Sequence, residues 1–159
     1  MNRQNQCTEI VGERFWQGPI HNRMLYRVLL AEDDPEMRKM LAWALSKKGY
    51  QVISCHDGNE LMKKLGFLGP EDKDGNFDLI ISDIKMPGAT GYDVFKASRS
   101  VELAEGQNPT QVILITAFGY DPHHSVVQAN REGLAAVLLK PFKVQQLLNE
   151  CRAALTCDD

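Results

Sequence analysis

The stretch Val28-Leu29-Leu30-Ala31-Glu32-Asp33-Asp34 decides the fold, because four apolar residues in it are followed at once by three carboxylates. A second stretch of the same kind, Leu79-Ile80-Ile81-Ser82, ends in Asp83. Continuous apolar runs of this length are typical of strands that are buried on both faces of a parallel sheet. Carboxylates placed after such strands meet in the crevice where open α/β sheets bind ligands.

Carboxylates that lie close together repel one another and also repel free phosphate. A hard divalent cation such as Mg²⁺ relieves that repulsion, and the site then attracts phosphoryl oxygens. The two stretches therefore predict an acidic cation site at one edge of a parallel sheet.

Strand and helix patterns alternate along the rest of the chain. This alternation, with continuous apolar strands, predicts an α/β fold in which helices cover both faces of a doubly wound, five-stranded parallel sheet. We expect residues 1–25, which are polar and irregular, to form an N-terminal tail or leader, and residues 26–157 to form one domain. The predicted strands are 27–31, 51–54, 77–82, 111–115 and 135–139, and the predicted helices begin at Pro35 and otherwise cover 57–65, 91–103, 125–131 and 143–155.

Composition excludes several classes of protein. A chain of 159 residues with 43% apolar and 25% charged residues is typical of one globular domain. A formal charge of −3 argues against direct nucleic acid binding. No apolar run approaches transmembrane length, and residues 1–6 lack the apolar core of a secretory signal, so we expect a cytoplasmic chain away from membranes. The cysteine spacing is unlike a zinc site and favours free thiols at Cys7, Cys55, Cys151 and Cys157.

Polar residues follow four of the five predicted strands. Right-handed crossovers bring these strand ends to the same edge of the sheet. Taken singly, each residue has an ordinary structural explanation, such as a helix cap or a surface lysine. Taken together, they favour a ligand site built from Glu32, Asp33, Asp83, Thr116 and Lys140.

Four segments, taken in this order, resemble the receiver domain of two-component response regulators over roughly residues 26–156. The resemblance implies a flavodoxin-like (βα)5 fold with strand order 2-1-3-4-5. The segments are Val28-Leu29-Leu30-Ala31-Glu32-Asp33-Asp34, Ile81-Ser82-Asp83-Ile84-Lys85-Met86-Pro87-Gly88, Ile115-Thr116-Ala117 and Leu139-Lys140-Pro141-Phe142.

By this resemblance, Asp83 is the phosphoacceptor. Its carboxylate attacks a phosphohistidine on a sensor histidine kinase or histidine phosphotransfer protein and forms an acyl phosphate. Mg²⁺ is the implied cofactor, bound by Asp33, Asp83 and the backbone carbonyl of Lys85, with Glu32 acting mainly through water. The chain is then a phosphorylation-controlled switch and not an enzyme.

The same resemblance assigns the remaining parts of the site. Lys140 pairs with a phosphoryl oxygen, and the Thr116 hydroxyl is its hydrogen-bonding partner. Backbone N–H groups near Ile84, Lys85 and Ala117 add donors. Phosphorylation shifts the face formed by the fourth helix, the fifth strand and the fifth helix, where a downstream effector or a second copy binds.

Three positions bear on how the switch would behave. Val137 stands where receivers commonly carry an aromatic residue, which predicts a muted or differently propagated change. Phe118 and Lys85 occupy positions that tune how fast water reaches the acyl phosphate, and a bulky Phe118 predicts a longer-lived phosphorylated state. Pro141 predicts a cis peptide bond after Lys140, as in the family.

Three alternatives fit the same sheet. A haloacid-dehalogenase-like phosphatase also uses an aspartate nucleophile, but it carries that residue after the first strand in an Asp-x-Asp pattern, whereas Asp83 lies in the middle of this chain. A flavodoxin-like flavin-binding module needs a Ser/Thr-rich loop where this chain has 32–34. A receiver that no longer takes phosphate is disfavoured because every expected site residue is present.

Overall fold

A computed structural model describes residues 25–106, 110–117 and 135–156. Its sheet has five parallel strands in the order β2-β1-β3-β4-β5, which confirms the predicted fold class and strand order. The strands are β1 (Arg27–Ala31), β2 (Gln51–Cys55), β3 (Leu79–Asp83), β4 (Gln111–Ala117) and β5 (Ala136–Lys140). The helices are α1 (Pro35–Lys47), α2 (Gly58–Lys64), α3 (Gly91–Glu105) and a C-terminal helix (Val144–Thr156), and a short 3₁₀ helix covers Pro70–Asp72.

Parts of the prediction fall outside the described residues. These are the helix expected at 125–131, the residues Phe118 and Cys157, and residues 1–24 of the expected tail, which include Cys7. Within the described ranges no helix has both the length and the apolar character that crossing a bilayer requires.

Two apolar layers hold the helices against the sheet. Successive residues of a strand point to opposite faces, so Leu29 packs toward α2 and α3 while Leu30 packs toward α1 and the C-terminal helix. Both side chains are fully buried, and each such burial contributes roughly 1.5–3 kcal/mol. Since the sheet is covered on both faces, polar side chains can gather only at its edges and ends.

Strand ends differ slightly from the prediction. Asp83 and Lys140 are the last residues of β3 and β5, and Thr116 lies within β4, whereas the sequence placed all three just past the strands. The reason is that their backbones still pair across the sheet, for example Asp83 with Ile115 of β4. Their side chains nevertheless lie at the carboxyl edge, as expected.

The first helix begins at a sharp boundary after the acidic stretch. Asp34 is its N-cap, because its Oδ1 accepts the N–H of Met37 at 2.7 Å, and Pro35 occupies the first turn. The Arg38 N–H then donates to the carbonyl of Asp34 at 2.9 Å. This cap fixes the direction in which α1 leaves the Glu32–Asp33 loop.

Replacing the cap tests this account of the α1 boundary. We expect Asp34→Ala to lower the free energy of unfolding by about 1 kcal/mol, because the Met37 N–H loses its acceptor. Urea unfolding monitored by circular dichroism measures the change. The control is Glu36→Gln, an exposed change in the same helical turn that removes only a charge near the helix dipole and costs about 0.5 kcal/mol or less. Equal losses in the two variants would contradict the capping role.

Two buried cysteines lie on opposite faces of the sheet. Cys55 ends β2, Cys151 lies in the C-terminal helix, and both are free thiols, as predicted. Burial raises the pKa of each thiol to about 12 from an ordinary value of 9.0. Because the thiolate is the reactive form, both thiols are expected to be inert in the folded chain.

Thiol modification tests this expectation. In a variant carrying Cys7→Ser and Cys157→Ser, we expect the two remaining thiols to resist Ellman's reagent at pH 8 in buffer and to react within minutes in denaturant. The raised pKa also means that burial of the thiols stabilises the fold fully below pH 9.0 and that this contribution is lost as the pH rises toward about 12. Rapid modification of both thiols in buffer would show that they are accessible.

Candidate functional site

Three carboxylates meet at the carboxyl edge of the sheet. Ligand oxygens of Glu32, Asp33 and Asp83 all lie within 4.8 Å of one another. Glu32 is 0% and Asp83 5% exposed, whereas the side chain of Asp33 faces solvent. The predicted acidic cluster is therefore present, with two buried members and one at the rim.

The sheet register explains why these carboxylates converge. Strands β1 and β3 are adjacent and parallel, and Ala31 pairs with Ser82, so the residue after each emerges side by side. Helix α3 can begin against Asp83 only because residue 91 is glycine: a Cβ on Gly91 would lie 2.6 Å from the Asp83 carbonyl oxygen.

Lys140 inserts its ammonium group between the two buried carboxylates. Its Nζ donates to Glu32 Oε2 at 3.1 Å and to Asp83 Oδ2 in a shorter contact. The lysine reaches from β5 past the intervening strand β4. The sequence placed Lys140 and Asp83 in one site, and the structure brings the two side chains together, whereas the contact of Lys140 with Glu32 was not predicted. The Lys140–Pro141 peptide bond is cis, as expected.

Burial and charge shift the pKa values of this cluster. Burial, with a further contribution from the charge of Asp83, raises the pKa of Glu32 despite opposing hydrogen bonds from the Asp34 N–H and Lys140. For Lys140, burial alone would lower the pKa, but the hydrogen bonds and charges of Asp83 and Glu32 outweigh it and raise the pKa. Lys140 is therefore a cation at neutral pH. One ammonium faces three carboxylates, so a formal negative charge of two remains.

The loop after β3 supplies backbone groups to the site. The Lys85 N–H donates to Asp83 Oδ1 at 3.0 Å. The Ile84 N–H donates to the Ile115 carbonyl at 2.8 Å, which corrects the expectation that it is free for a phosphoryl oxygen. This correction follows from the pairing of β3 with β4, which continues one residue beyond the end of the strand.

The same loop is packed tightly on the start of α2. The Gly58 N–H donates to the Pro87 carbonyl at 3.2 Å, and a Cβ on Gly58 would lie 1.7 Å from the Ala89 carbonyl oxygen. Helix α2 and the loop that carries Lys85 therefore touch backbone to backbone. Sequence reasoning missed this contact, because nothing local marks which glycine must face a distant carbonyl.

Thr116 and Val137 complete the sequence-predicted set. Thr116 is buried, and within the described residues its hydroxyl makes only a marginal contact of 3.5 Å with the Ala117 carbonyl, so it retains hydrogen-bonding capacity. Val137 is partly buried and packs against the apolar layer on the α2 and α3 side of the sheet. Its side chain is aliphatic there, so the aromatic group common at this position in receivers is absent.

Oxygen ligands of this kind suit a hard cation. Mg²⁺ is held in proteins by one or two carboxylates with waters and phosphate oxygens completing its shell. The cluster fits such an ion because its ligand atoms are all oxygens, because Asp33 is open to solvent, and because a negative charge remains after Lys140 is counted.

The guanidinium group of Arg38 lies close to the cluster. Its Nη1 donates to the Glu32 carbonyl at 2.8 Å, a contact that the sequence did not predict.

Comparisons with known proteins point to one family. The model of the response regulator receiver domain matches residues 28–152. The response regulator receiver protein CpdR of Brucella abortus is 33% identical over 129 residues, which is 81% of this chain and 96% of that protein. The transcriptional regulatory protein CpxR of Escherichia coli K12 is 32% identical over 81% of this chain and 49% of its own length. The chain spans about half the length of several curated relatives that it matches.

A solved structure shares the fold as well. The chemotaxis response regulator CheY4 of Vibrio cholerae superposes with a TM-score of 0.64 at 27% identity, over 82% of this chain and 99% of that one. None of these similarities supports the phosphatase alternative. The chain therefore belongs to the response regulator receiver domain family, the phosphorylation-controlled signalling modules of two-component systems.

Proposed function

We propose that Asp83 is the phosphoacceptor of this receiver domain and that Lys140, Thr116 and the acidic cluster assist the transfer. The observation that carries the proposal is the paired contact of Lys140 with Asp83 and Glu32. A lysine held against a nearly buried aspartate at a solvent-accessible rim is suited to receive an incoming anion.

Each group has a defined part in the transfer. A carboxylate oxygen of Asp83 forms a bond to phosphorus while the bond from phosphorus to the donor histidine nitrogen breaks. The bonding pair stays on that nitrogen, and the imidazole, which already carries a proton on its other ring nitrogen, leaves as the neutral base. The ammonium group of Lys140 pairs with the Asp83 carboxylate before the transfer and with a phosphoryl oxygen after it. The Thr116 hydroxyl and the N–H groups of Lys85 and Ala117 are the candidate donors to the remaining oxygens. Positioning and charge neutralisation carry most of such a transfer.

The cofactor we propose is Mg²⁺. Asp33, Asp83 and the Lys85 backbone carbonyl would hold it, and Glu32 would act mainly through water because its two oxygens already bind the Asp34 N–H and Lys140. When bound, the ion would neutralise the carboxylates and phosphoryl oxygens that otherwise repel each other. The same reasoning explains why a site with three carboxylates can accept an anion at all.

The partners we propose follow from this chemistry. A phosphohistidine on a sensor histidine kinase or histidine phosphotransfer protein is the donor. The readout is a changed surface around β5 and the C-terminal helix, available to a downstream effector or a second copy of the chain. We assign no nucleic acid binding to the receiver itself, since its net charge of −3 is unfavourable. Two free buried thiols are in keeping with a reducing, cytoplasmic setting.

Removing the proposed nucleophile tests the assignment. We expect Asp83→Asn to lose all covalent label from radioactive acetyl phosphate in the presence of Mg²⁺, because an amide cannot form the acyl phosphate. The matched control is Asp78→Asn, which lies next to the opposite end of β3 and can still accept the Arg27 N–H. Label on Asp83→Asn at the wild-type level would refute the assignment, as would loss of label in Asp78→Asn alone.

Thermal unfolding with and without Mg²⁺ tests the cation site. We expect Mg²⁺ at ten times its Kd to stabilise the wild-type protein by about 1.4 kcal/mol. Asp33→Asn should lose this stabilisation and be slightly more stable than wild type without Mg²⁺, because it relieves carboxylate repulsion. Asp57→Asn, at the same sheet edge, keeps a capping side chain for α2 and should respond to Mg²⁺ like wild type. A full Mg²⁺ response in Asp33→Asn would argue against the site.

A further inference from the structure

Arg38 reaches back from the first turn of α1 to the loop that carries two of the site carboxylates. Its Nη1 donates to the Glu32 carbonyl at 2.8 Å and lies 3.4 Å from the Asp33 carbonyl. Its own backbone N–H donates to the Asp34 carbonyl. One residue therefore contacts three successive carbonyls of the acidic loop.

These carbonyls lie beyond the last hydrogen bond of the sheet. The Glu32 N–H still donates to the Cys55 carbonyl of β2 at 3.2 Å, but the carbonyl of Glu32 points to Arg38. Glu32 is fully buried, and a buried carbonyl without a donor is costly. The Arg38 guanidinium, which extends from the first turn of α1, supplies that donor.

The loop needs such a restraint because its side chains repel. The carboxylate of Glu32 lies against those of Asp33 and Asp83, and the charge of Asp83 contributes to the raised pKa of Glu32. Within the described ranges Arg38 forms no ion pair, so its guanidinium engages the loop through backbone oxygens alone. Arg38 therefore occupies none of the carboxylate oxygens of the cluster.

We propose that Arg38 is a positioning residue that holds the Glu32–Asp33 backbone in place and thereby sets the Mg²⁺ affinity of the site. This inference rests on the proposed function, since it takes the acidic cluster to be the Mg²⁺ site. Two effects of Arg38 have opposite signs. Its positive charge disfavours a second cation nearby, whereas its hydrogen bonds keep the ligands in place. A neutral replacement therefore tightens Mg²⁺ binding if charge dominates and weakens it if positioning dominates.

Direct Mg²⁺ titration by isothermal calorimetry distinguishes the two. We expect Arg38→Met to raise the Kd for Mg²⁺ roughly tenfold, as for other residues that support metal ligands from behind. Arg38→Lys, which keeps the charge but lacks the guanidinium fork, should show a smaller increase. The control is Lys39→Met, an exposed change on the same helix that removes the same charge and should leave the Kd within twofold of wild type.

Phosphoryl transfer gives the second readout. The rate of labelling by acetyl phosphate in Arg38→Met should fall at low Mg²⁺ and return to within about twofold of wild type at saturating Mg²⁺. The reason is that a high concentration of Mg²⁺ fills the site even when its affinity is reduced. A purely structural defect would lower the rate at every concentration.

Several results would overturn the proposal. An unchanged or tighter Mg²⁺ Kd in Arg38→Met would do so, and so would an equal weakening in Lys39→Met. If Arg38→Met does not fold, Arg38→Lys decides the question, and an unchanged Kd in that variant rejects the positioning role. If the wild-type protein binds Mg²⁺ but takes no label, the proposed phosphoacceptor fails while the calorimetric comparison still tests Arg38.

Discussion

The arrangement of polar groups at the carboxyl edge of the sheet depends on the mutual repulsion of three carboxylates. Two of them, Glu32 and Asp83, are buried, and burial raises the pKa of Glu32. The protein offsets the repulsion with one ammonium group, Lys140, and with backbone donors such as the Lys85 N–H. The remaining negative charge is what makes the edge receptive to a divalent cation and then to a phosphoryl group.

Such a cluster is a poor device for stability. The cost of removing charges from water often exceeds the attraction between them, and a buried ion pair is on average no better than apolar packing. The large favourable contribution comes instead from the two apolar layers on either side of the sheet, which contain most of its fully buried side chains. The two apolar layers therefore stabilise the fold, whereas the charged residues at the carboxyl edge contribute to the binding site and little to stability.

The sequence predicts the fold well because its signals are local. The continuous apolar strands and the helix start at Pro35 each follow from a few neighbouring residues, and the order 2-1-3-4-5 comes from family resemblance. The site carboxylates were also predictable, since each follows an apolar run. Contacts between segments that are distant in the sequence could not be predicted in this way. The reach of Lys140 to Glu32 depends on the path of a long side chain past the ends of β4 and β3. The Ile84 N–H is taken up by β4 because the pairing of β3 with β4 extends further than expected.

The glycine at position 58 has a consequence for how this chain can diverge. Its hydrogen atom faces the Ala89 carbonyl at a distance where any larger group would collide with main chain, which cannot move aside as a flexible side chain could. Any residue other than glycine at position 58 therefore requires the backbone around Ala89 to move. Relatives that keep the same close approach of α2 to the loop after β3 should carry glycine there. A relative with a bulkier residue must have pulled the two segments apart.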